Sequence, residues 1–292
     1  MQRFGLLLLL ASSISIVLKA QLKNSFSVSD NQEFDKVKFS LNAMNGQCFI
    51  EPGVDENVMH IHSNTDDSAS PLYEEKVVDR TKEVSVELGE EHNSTLRSSL
   101  SRHMFSSQSV DDYTWKVYLS KLKPLDLDLN YAVGDTYIDL SDLPIEKLKM
   151  RSGSANVKVN YKKDLGNLLK MDTFLIKVDL GTFEAKNLHL CHSRNIITDV
   201  GFGRVKMDFK DAQKIKTNVS ATVGAGKLEV ILPQENVPIR ININDSPLCN
   251  IKVPHNYEMI EENVFASPGF EDNASNGMNF SIDVAVGNII FK

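Results

Sequence analysis

The residues of this chain that could do chemistry are few and scattered. Carboxylates alternate with apolar residues at Asp126 and Asp128, Asp139, Asp179, Glu184, Asp208 and Glu229. Lined up on one face by a repeating fold, they would form a calcium-binding or glycan-facing strip, or the acid pair of a polysaccharide-cleaving enzyme. There is no calcium nonapeptide and no acid–base pair at a recognisable spacing. The expectation is therefore the wet face of amphipathic strands. His60-Ile-His62 places two imidazoles on one strand face. His189-Leu-Cys191 would do the same for an imidazole and a thiol, with His192 beside them. A closed metal site takes about four ligands, and no further cluster has suitable spacing, so solvent-facing polar positions and no metal are expected.

The three cysteines, Cys48, Cys191 and Cys249, form no Cys-x-x-Cys pair, which argues against a zinc ribbon or a thioredoxin-type site. Each sits beside apolar strand positions, so buried free thiols are expected, with at most one disulfide as the alternative. Trp115, the single tryptophan, shares a strand face with Val117 and Leu119. That assigns it to the core rather than to stacking on a sugar. The sequence thus names no catalytic, cofactor-binding or metal-binding residue and no cofactor.

The elements that carry these residues read as strands. Leu125, Leu127 and Leu129 alternate with Asp126, Asp128 and Asn130, then Gly134 precedes Ile138 and Leu140. Leu148 and Met150 lead to Gly153, Val157 and Val159, and similar units surround Gly46, Gly181, Gly203, Gly226 and Gly287. Period-two alternation marks strands with one buried face, and glycine is the residue for sharp bends. From Gly134 through Gly153, Gly181 and Gly203 to Gly226 the steps are 19, 28, 22 and 23 residues. Such spacing predicts an all-β fold of glycine-turn repeats stacked as a β-solenoid-like array. The alternative is an antiparallel β-sandwich. The glycines are expected at equivalent bends needing positive φ or close backbone approach, with Leu140, Val159, Met207 and Val230 in the core. The only helical turn expected lies within 256–263.

The strand opened by Trp115, the Pro124-Leu-Asp-Leu-Asp-Leu run, Gly134, Ile138-Asp-Leu140, Gly153 with Val157 and Val159, and Val223-Gly-Ala-Gly226 together resemble the toast-rack family of bacterial envelope proteins. That family stands among the putative-adhesin and cell-wall-stress-response families. The resemblance covers about 115 to 245. The turns Ala-Val-Gly and Arg-Ser-Gly depart from the Gly-Ala-Gly form found at 224–226. It implies a repetitive solenoid-like domain and an envelope location, and it brings no catalytic residues.

Residues 1–20 read as a secretory signal, with Arg3 before an apolar run from Gly5 to Val17 and cleavage ahead of Gln21. Without Arg3 and Lys19 the 32 basic residues fall to 30 against 39 acidic ones, a formal −9. That balance excludes a phosphate-binding nucleic-acid surface as the main role and disfavours an anionic membrane face. No later stretch is apolar enough to span a bilayer. Domain organisation is read as signal 1–20, an N-terminal β segment 21–113 and a β-repeat domain 114–292. Within 21–113, polar stretches at 63–81 and 92–112, Ser- and Asp-rich at 63–71 and 98–112, flank the strand candidate Lys82–Leu88 and read as mobile loop. A second polar insertion spans 254–277. Asn-x-Ser/Thr sites stand at Asn93, Asn218, Asn273 and Asn279.

The functional expectation is an exported, non-enzymatic β-repeat protein of the cell envelope with an interaction, adhesion or structural role. Its partner would be an envelope protein or a glycan. The alternatives are a sensing partner in the envelope stress response and a polysaccharide-acting β-helix enzyme.

Overall fold

The computed structural model describes residues 24–54, 56–63, 72–88, 114–211, 214–234, 237–271 and 274–292. The signal segment, most of both polar stretches of 63–112, Asn93 and Asn273 lie outside them.

The chain opens with β1 (Asn24–Ser29), β2 (Lys36–Ala43), β3 (Gln47–Pro52), β4 (Asn57–Ser63), β5 (Leu72–Val78), β6 (Thr81–Leu88) and β7 (Thr114–Leu119). A regular alternation follows: β8 (Leu125–Tyr131) and β9 (Asp135–Asp139), β10 (Ile145–Ser152) and β11 (Asn156–Asn160), β12 (Met171–Val178) and β13 (Thr182–Lys186). It continues with β14 (Ser193–Val200) and β15 (Arg204–Asp208), β16 (Thr217–Val223) and β17 (Lys227–Ile231), β18 (Ile239–Asp245) and β19 (Cys249–Lys252). The last strands are β20 (Glu258–Glu261), β21 (Val264–Ala266), β22 (Met278–Val284) and β23 (Gly287–Phe291). No helix among the described residues is long and apolar enough to cross a membrane.

The first strand of each pair lies in one sheet and the second in the other, so a pair is one flattened coil of a solenoid. One sheet runs β20-β21-β18-β22-β16-β14-β12-β10-β8-β2-β6-β5, and the second runs β1-β4-β7-β3-β9-β11-β13-β15-β17-β23-β19. From β6 to β18 and from β7 to β19 every pairing is parallel. The fold is all-β and is built from stacked coils, not from the hairpins of an antiparallel sandwich. β2 and β3 pair directly with β8 and β9, so residues on both sides of position 113 share one hydrophobic cluster.

Alternation makes the core. In the first sheet Phe39, Leu127, Leu148, Phe174, Ile196, Val219, Phe280 and Ile241 fall in one registered row. In the second, Ile50, Ile138, Val159, Ala185, Met207, Val230 and Phe291 form another. All are buried. With a period of two, a one-residue slip would turn a whole strand inside out, so burial pins the register.

Coil order in space is not chain order. The first coil, β2–β3, lies between β6–β7 and β8–β9, and the last, β22–β23, lies between β16–β17 and β18–β19. Antiparallel strands close three of the four sheet ends: β4 and β1 beyond β7, β5 beyond β6, and β21 and β20 beyond β18. At the N-terminal end Phe26 of β1 stacks on Tyr73 of β5, 5.0 Å between ring centres, bridging the two sheets.

Three sequence expectations need correction. Residues 258–261 and 264–266 are strands, so the turn of helix expected within 256–263 is a β-hairpin. The 63–81 stretch contains β5, whose exposed Glu74, Glu75 and Lys76 disguise an edge strand; charged edges resist unwanted pairing. The glycines are also not all equivalent. Most of the inter-sheet turns have three residues, and glycine holds the third place at Gly46, Gly134, Gly181, Gly203 and Gly226, while Gly287 opens β23 after a two-residue turn. Gly153 holds the first place, and its turn ends on Ala155. Of these seven glycines, Gly46 and Gly134 have positive φ, +96° and +115°. The others are needed for close approach: the Gly181 carbonyl accepts from Arg204 N–H at 3.0 Å and the Gly203 carbonyl from Lys227 N–H at 3.0 Å. A Cβ on Gly203 would come within 2.6 Å of the Gly181 oxygen.

Candidate binding surface

The outward residues of the strands form the two broad faces of the solenoid, and this divides the carboxylates. Asp126 and Asp128 stand on the first sheet, Asp139, Glu184, Asp208 and Glu229 on the second, and Asp179 in an exposed turn. The single acidic strip considered from sequence does not form, because the two strands of a coil point their outer residues in opposite directions. Most carboxylates are held by cations. Asp126 lies 2.7 Å from Lys36, and Asp128 lies 3.3 Å from Lys149 and 3.5 Å from Arg151. Glu184 pairs with Lys206 at 3.0 Å, and Glu229 with Lys292 at 2.9 Å and Lys227 at 3.1 Å. Asp208 accepts from Lys210 N–H at 3.0 Å. The Asp126, Asp128 and Glu184 pairs run between neighbouring strands, contacts of the kind that support the register of stacked strands.

Asp139 differs, because it anchors the turn that follows β9. Its carboxylate accepts from Ser141 N–H at 3.0 Å and from the Ser141 hydroxyl, and pairs with Lys162 at 2.7 Å. Burial would raise its pKa, but the Lys162 ammonium and the Ser141 donors outweigh burial and hold it below the usual 3.8. A carboxylate with a lowered folded pKa stabilises the fold above about 3.8, and that contribution disappears as pH falls through the lowered value. Asp139→Asn should cost about 1 kcal/mol at pH 7 and should flatten the acid limb of the melting temperature below pH 4. Thermal melts from pH 7 to pH 2.5 check this. An unchanged acid limb would show that another carboxylate carries it.

The histidines part company. His60 and His62 share the outer face of β4 as expected, their rings stacked 4.3 Å apart at 24°. His60 hydrogen-bonds to the Ser25 hydroxyl at 3.0 Å, and His62 meets the Tyr118 ring edge-on at 6.0 Å. His189 and Cys191, expected on one strand face, instead lie in a 3-10 turn, Leu188–Cys191, on the return side of the solenoid. There His189 Nε2 is 3.5 Å from Asp211, and His192 Nδ1 is 2.8 Å from the Asn167 carbonyl. Desolvation lowers the pKa of both imidazoles. Among the described residues no three His, Cys, Asp or Glu gather as metal ligands.

All three cysteines are free. Burial pushes the thiols of Cys48 and Cys191 up to about 12, so neither is a nucleophile at neutral pH. Trp115 is buried at 1% exposure, as its strand phase predicted.

One feature of the outer surface escaped the sequence reading. Across β4, β7, β3, β9 and β11 one register row carries His62, Lys116, Phe49, Tyr137 and Lys158. Phe49 and Tyr137 stack at 5.4 Å and 13°, and the Lys158 ammonium sits 5.1 Å from the Tyr137 ring centre. Tyr137 is 40% exposed. The signal was present: Cys48 and Ile50 point inward, so Phe49 between them must point out, and Tyr137 beside Ile138 likewise.

Comparison with known proteins adds the family. Residues 17–175 match the model of the N-terminal domain of toast_rack. No curated protein matches. Solved structures similar to this chain include a putative cell adhesion protein from Clostridium sporogenes, 17% identical with a TM-score of 0.44, covering 92% of this chain and 97% of that one. Another is a putative adhesin from Bacteroides fragilis, 10% identical with a TM-score of 0.39, covering 92% and 95%. A third, from Parabacteroides distasonis, is described as a putative lipid binding protein; it is 14% identical with a TM-score of 0.35, covering 91% and 95%. The family match spans more than half of the sequence and takes in the tryptophan strand, the first glycine turns and the coils they join; the chain belongs to the toast-rack family.

Proposed function

We propose that this is an extracytoplasmic, non-enzymatic adhesion protein whose working parts are the outer faces of its two sheets. The observation that carries the reading is the state of the outer carboxylates. They are divided between the two faces, and most of those on either face are held by a lysine or arginine on a neighbouring strand or the adjoining loop. Glycoside hydrolysis needs two carboxyl groups flanking one bond, about 5 to 9.5 Å apart and with divergent pKa values. A long rigid solenoid with flat faces suits contact over an extended surface. The family fits an envelope setting, and the amino-terminal apolar run fits export. The partner is an envelope protein or a glycan.

The test is direct. Beads carrying residues 21–292 are applied to immobilised glycans and to envelope extract, and the same protein is incubated with a panel of polysaccharides. The reading expects retention on a defined surface and no release of reducing ends. Reducing-end release that vanishes in an Asp128→Asn or Glu184→Gln variant would sink it.

A further inference from the structure

We propose that the exposed turn residues Leu180, Phe202, Ala225, Val286 and Leu248 form an apolar ridge that seats one narrow edge of the solenoid in a zwitterionic phospholipid surface. The proposal stands apart from the adhesion reading, which concerns the two broad faces.

The first support is alignment. Leu180, Phe202, Ala225 and Val286 each take the second place of an inter-sheet turn. Their N–H groups donate to first-place carbonyls of the neighbouring coil, those of Gly153, Asp179, Gly201 and Gly224 in turn, at 2.8 Å each. The ladder reaches the last coil through the Ser246 hydroxyl, which donates to the Ala285 carbonyl, and Leu248 ends that turn. The turns after β12, β14, β16, β22 and β18 therefore stack in one line. Phe202 and Leu248 are 73% exposed and Leu180 57%. The other exposed apolar side chains make no such line among the described residues. Those of β5 and β20 belong to edge strands, and Leu122, Leu165 and Leu168 to loops on the opposite, return edge. A contiguous exposed apolar stripe marks a contact site, where scattered side chains do not.

The second support is shape. Five turns about 4.8 Å apart span roughly 19 Å, and two sheets about 10 Å apart make the ridge about that wide. Its footprint is about 200 Å², a quarter of the roughly 800 Å² that each partner buries in a stable protein complex. A second copy meeting it ridge to ridge would gain too little. A convex row of apolar tips instead enters a bilayer interface, which takes up apolar side chains to a depth of about 5 to 10 Å.

The third support is charge. The ridge is flanked by the rows Thr182–Arg204–Lys227–Asn288–Asn250 and Lys177–Asp199–Thr222–Asp283–Asn244. Arg204, Lys227 and Lys177 are balanced by Asp199, Asp283 and, in the Leu180 turn, Asp179. Glu229, further along β17, is held by Lys292 as well as by Lys227. An edge carrying both signs matches the phosphate and amine of a zwitterionic headgroup. It lacks the basic excess that binds anionic lipid.

The experiment floats residues 21–292 with vesicles of phosphatidylcholine and phosphatidylethanolamine. The expected result is reversible binding with half the protein bound at about 0.1 to 1 mM lipid, the strength of a single acyl chain. It should persist in about 0.5 M salt, which screens exposed charges. Leu180→Ser/Phe202→Ser should weaken binding by about tenfold or more. Leu165→Ser/Leu168→Ser, on the return edge, should bind like the parent. Circular dichroism melts show that both variants are folded. Phe202→Trp supplies a local reporter: its emission should move to shorter wavelength with vesicles, while the parent, whose Trp115 is 1% exposed, should not change. Absence of flotation overturns the proposal, as does equal loss in the two serine variants. So does binding confined to phosphatidylglycerol vesicles, a Phe202→Trp emission that ignores lipid, or a dimer in solution that Leu180→Ser/Phe202→Ser dissolves. Each of these leaves the adhesion reading to its own bead assay.

Discussion

Gly181→Ala should destabilise the protein by about 3 kcal/mol, an overpacking cost at the top of the usual range. The added methyl would stand 2.1 Å from the carbonyl oxygen of Ala155 in the preceding coil, and 3.0 Å from its carbonyl carbon and nitrogen. That oxygen already accepts the Thr182 N–H at 3.1 Å, so the turn cannot retreat without losing the bond that stacks one coil on the next. Valine at Gly203 or Gly226 meets the same obstacle, with a turn oxygen 2.6 Å from the new Cβ in each case. Gly224→Ala is the matched control, because its Cβ would lie 3.1 Å from the nearest oxygen. It should cost under about 1 kcal/mol. Denaturant titration of the pair decides. Similar midpoints for Gly181→Ala and Gly224→Ala would mean that close approach of the turns does not limit the stack.

Phe280→Ala should cost about 3 to 5 kcal/mol, the range for removing a buried aromatic side chain. Phe280 is 2% exposed, with Phe291 5.3 Å and Phe209 6.2 Å away between ring centres. It lies in β22, which is hydrogen-bonded to β16 on one side and to β18 on the other. A cavity there loosens the coil that joins the β18–β19 coil to the rest of the solenoid. The melting temperature should fall by on the order of 10 °C. Amide exchange should speed up in β18 and β19 as well as in β22, because opening is cooperative within such units. A change confined to β22 would contradict this account of the terminal coil.

Much of this was legible in the sequence, and the reasons are specific. Leu125, Leu127 and Leu129 alternate because one strand face is buried, and burial repeats wherever the coil repeats. Leu140, Val159, Met207 and Val230 were identified as core on that ground and are at most 1% exposed. The coil β18–β19 escaped notice because its turn, Ser246-Pro247-Leu248, contains no glycine. Inserted coils at both ends were illegible in principle, since alternation fixes which face is buried and says nothing about which coil lies beside which. His189 and Cys191 were misplaced because a two-residue spacing is also compatible with a 3-10 turn, here bounded by left-handed Asn187 and His192. The aromatic row needed register across five strands, although each outward aromatic could be read from its own strand.

The order of the coils is the claim on which both faces depend, and disulfide trapping tests it most directly. Ser220 of β16 and Ser281 of β22 are registered neighbours, as are Ser281 and Asn242 of β18. Cysteines at 220 and 281 should close an intramolecular disulfide on mild oxidation, since adjacent strands lie about 4.8 Å apart. Cysteines at 220 and 242 would be separated by two strand spacings, roughly 9.6 Å, beyond the limit of about 7 Å for a bridge. With Cys249→Ser as background, mass spectrometry of the oxidised protein should find the 220–281 bridge and no 220–242 bridge. The reverse pattern, with 220 joined to 242 and not to 281, would place β18 beside β16 in simple chain order and contradict the arrangement described.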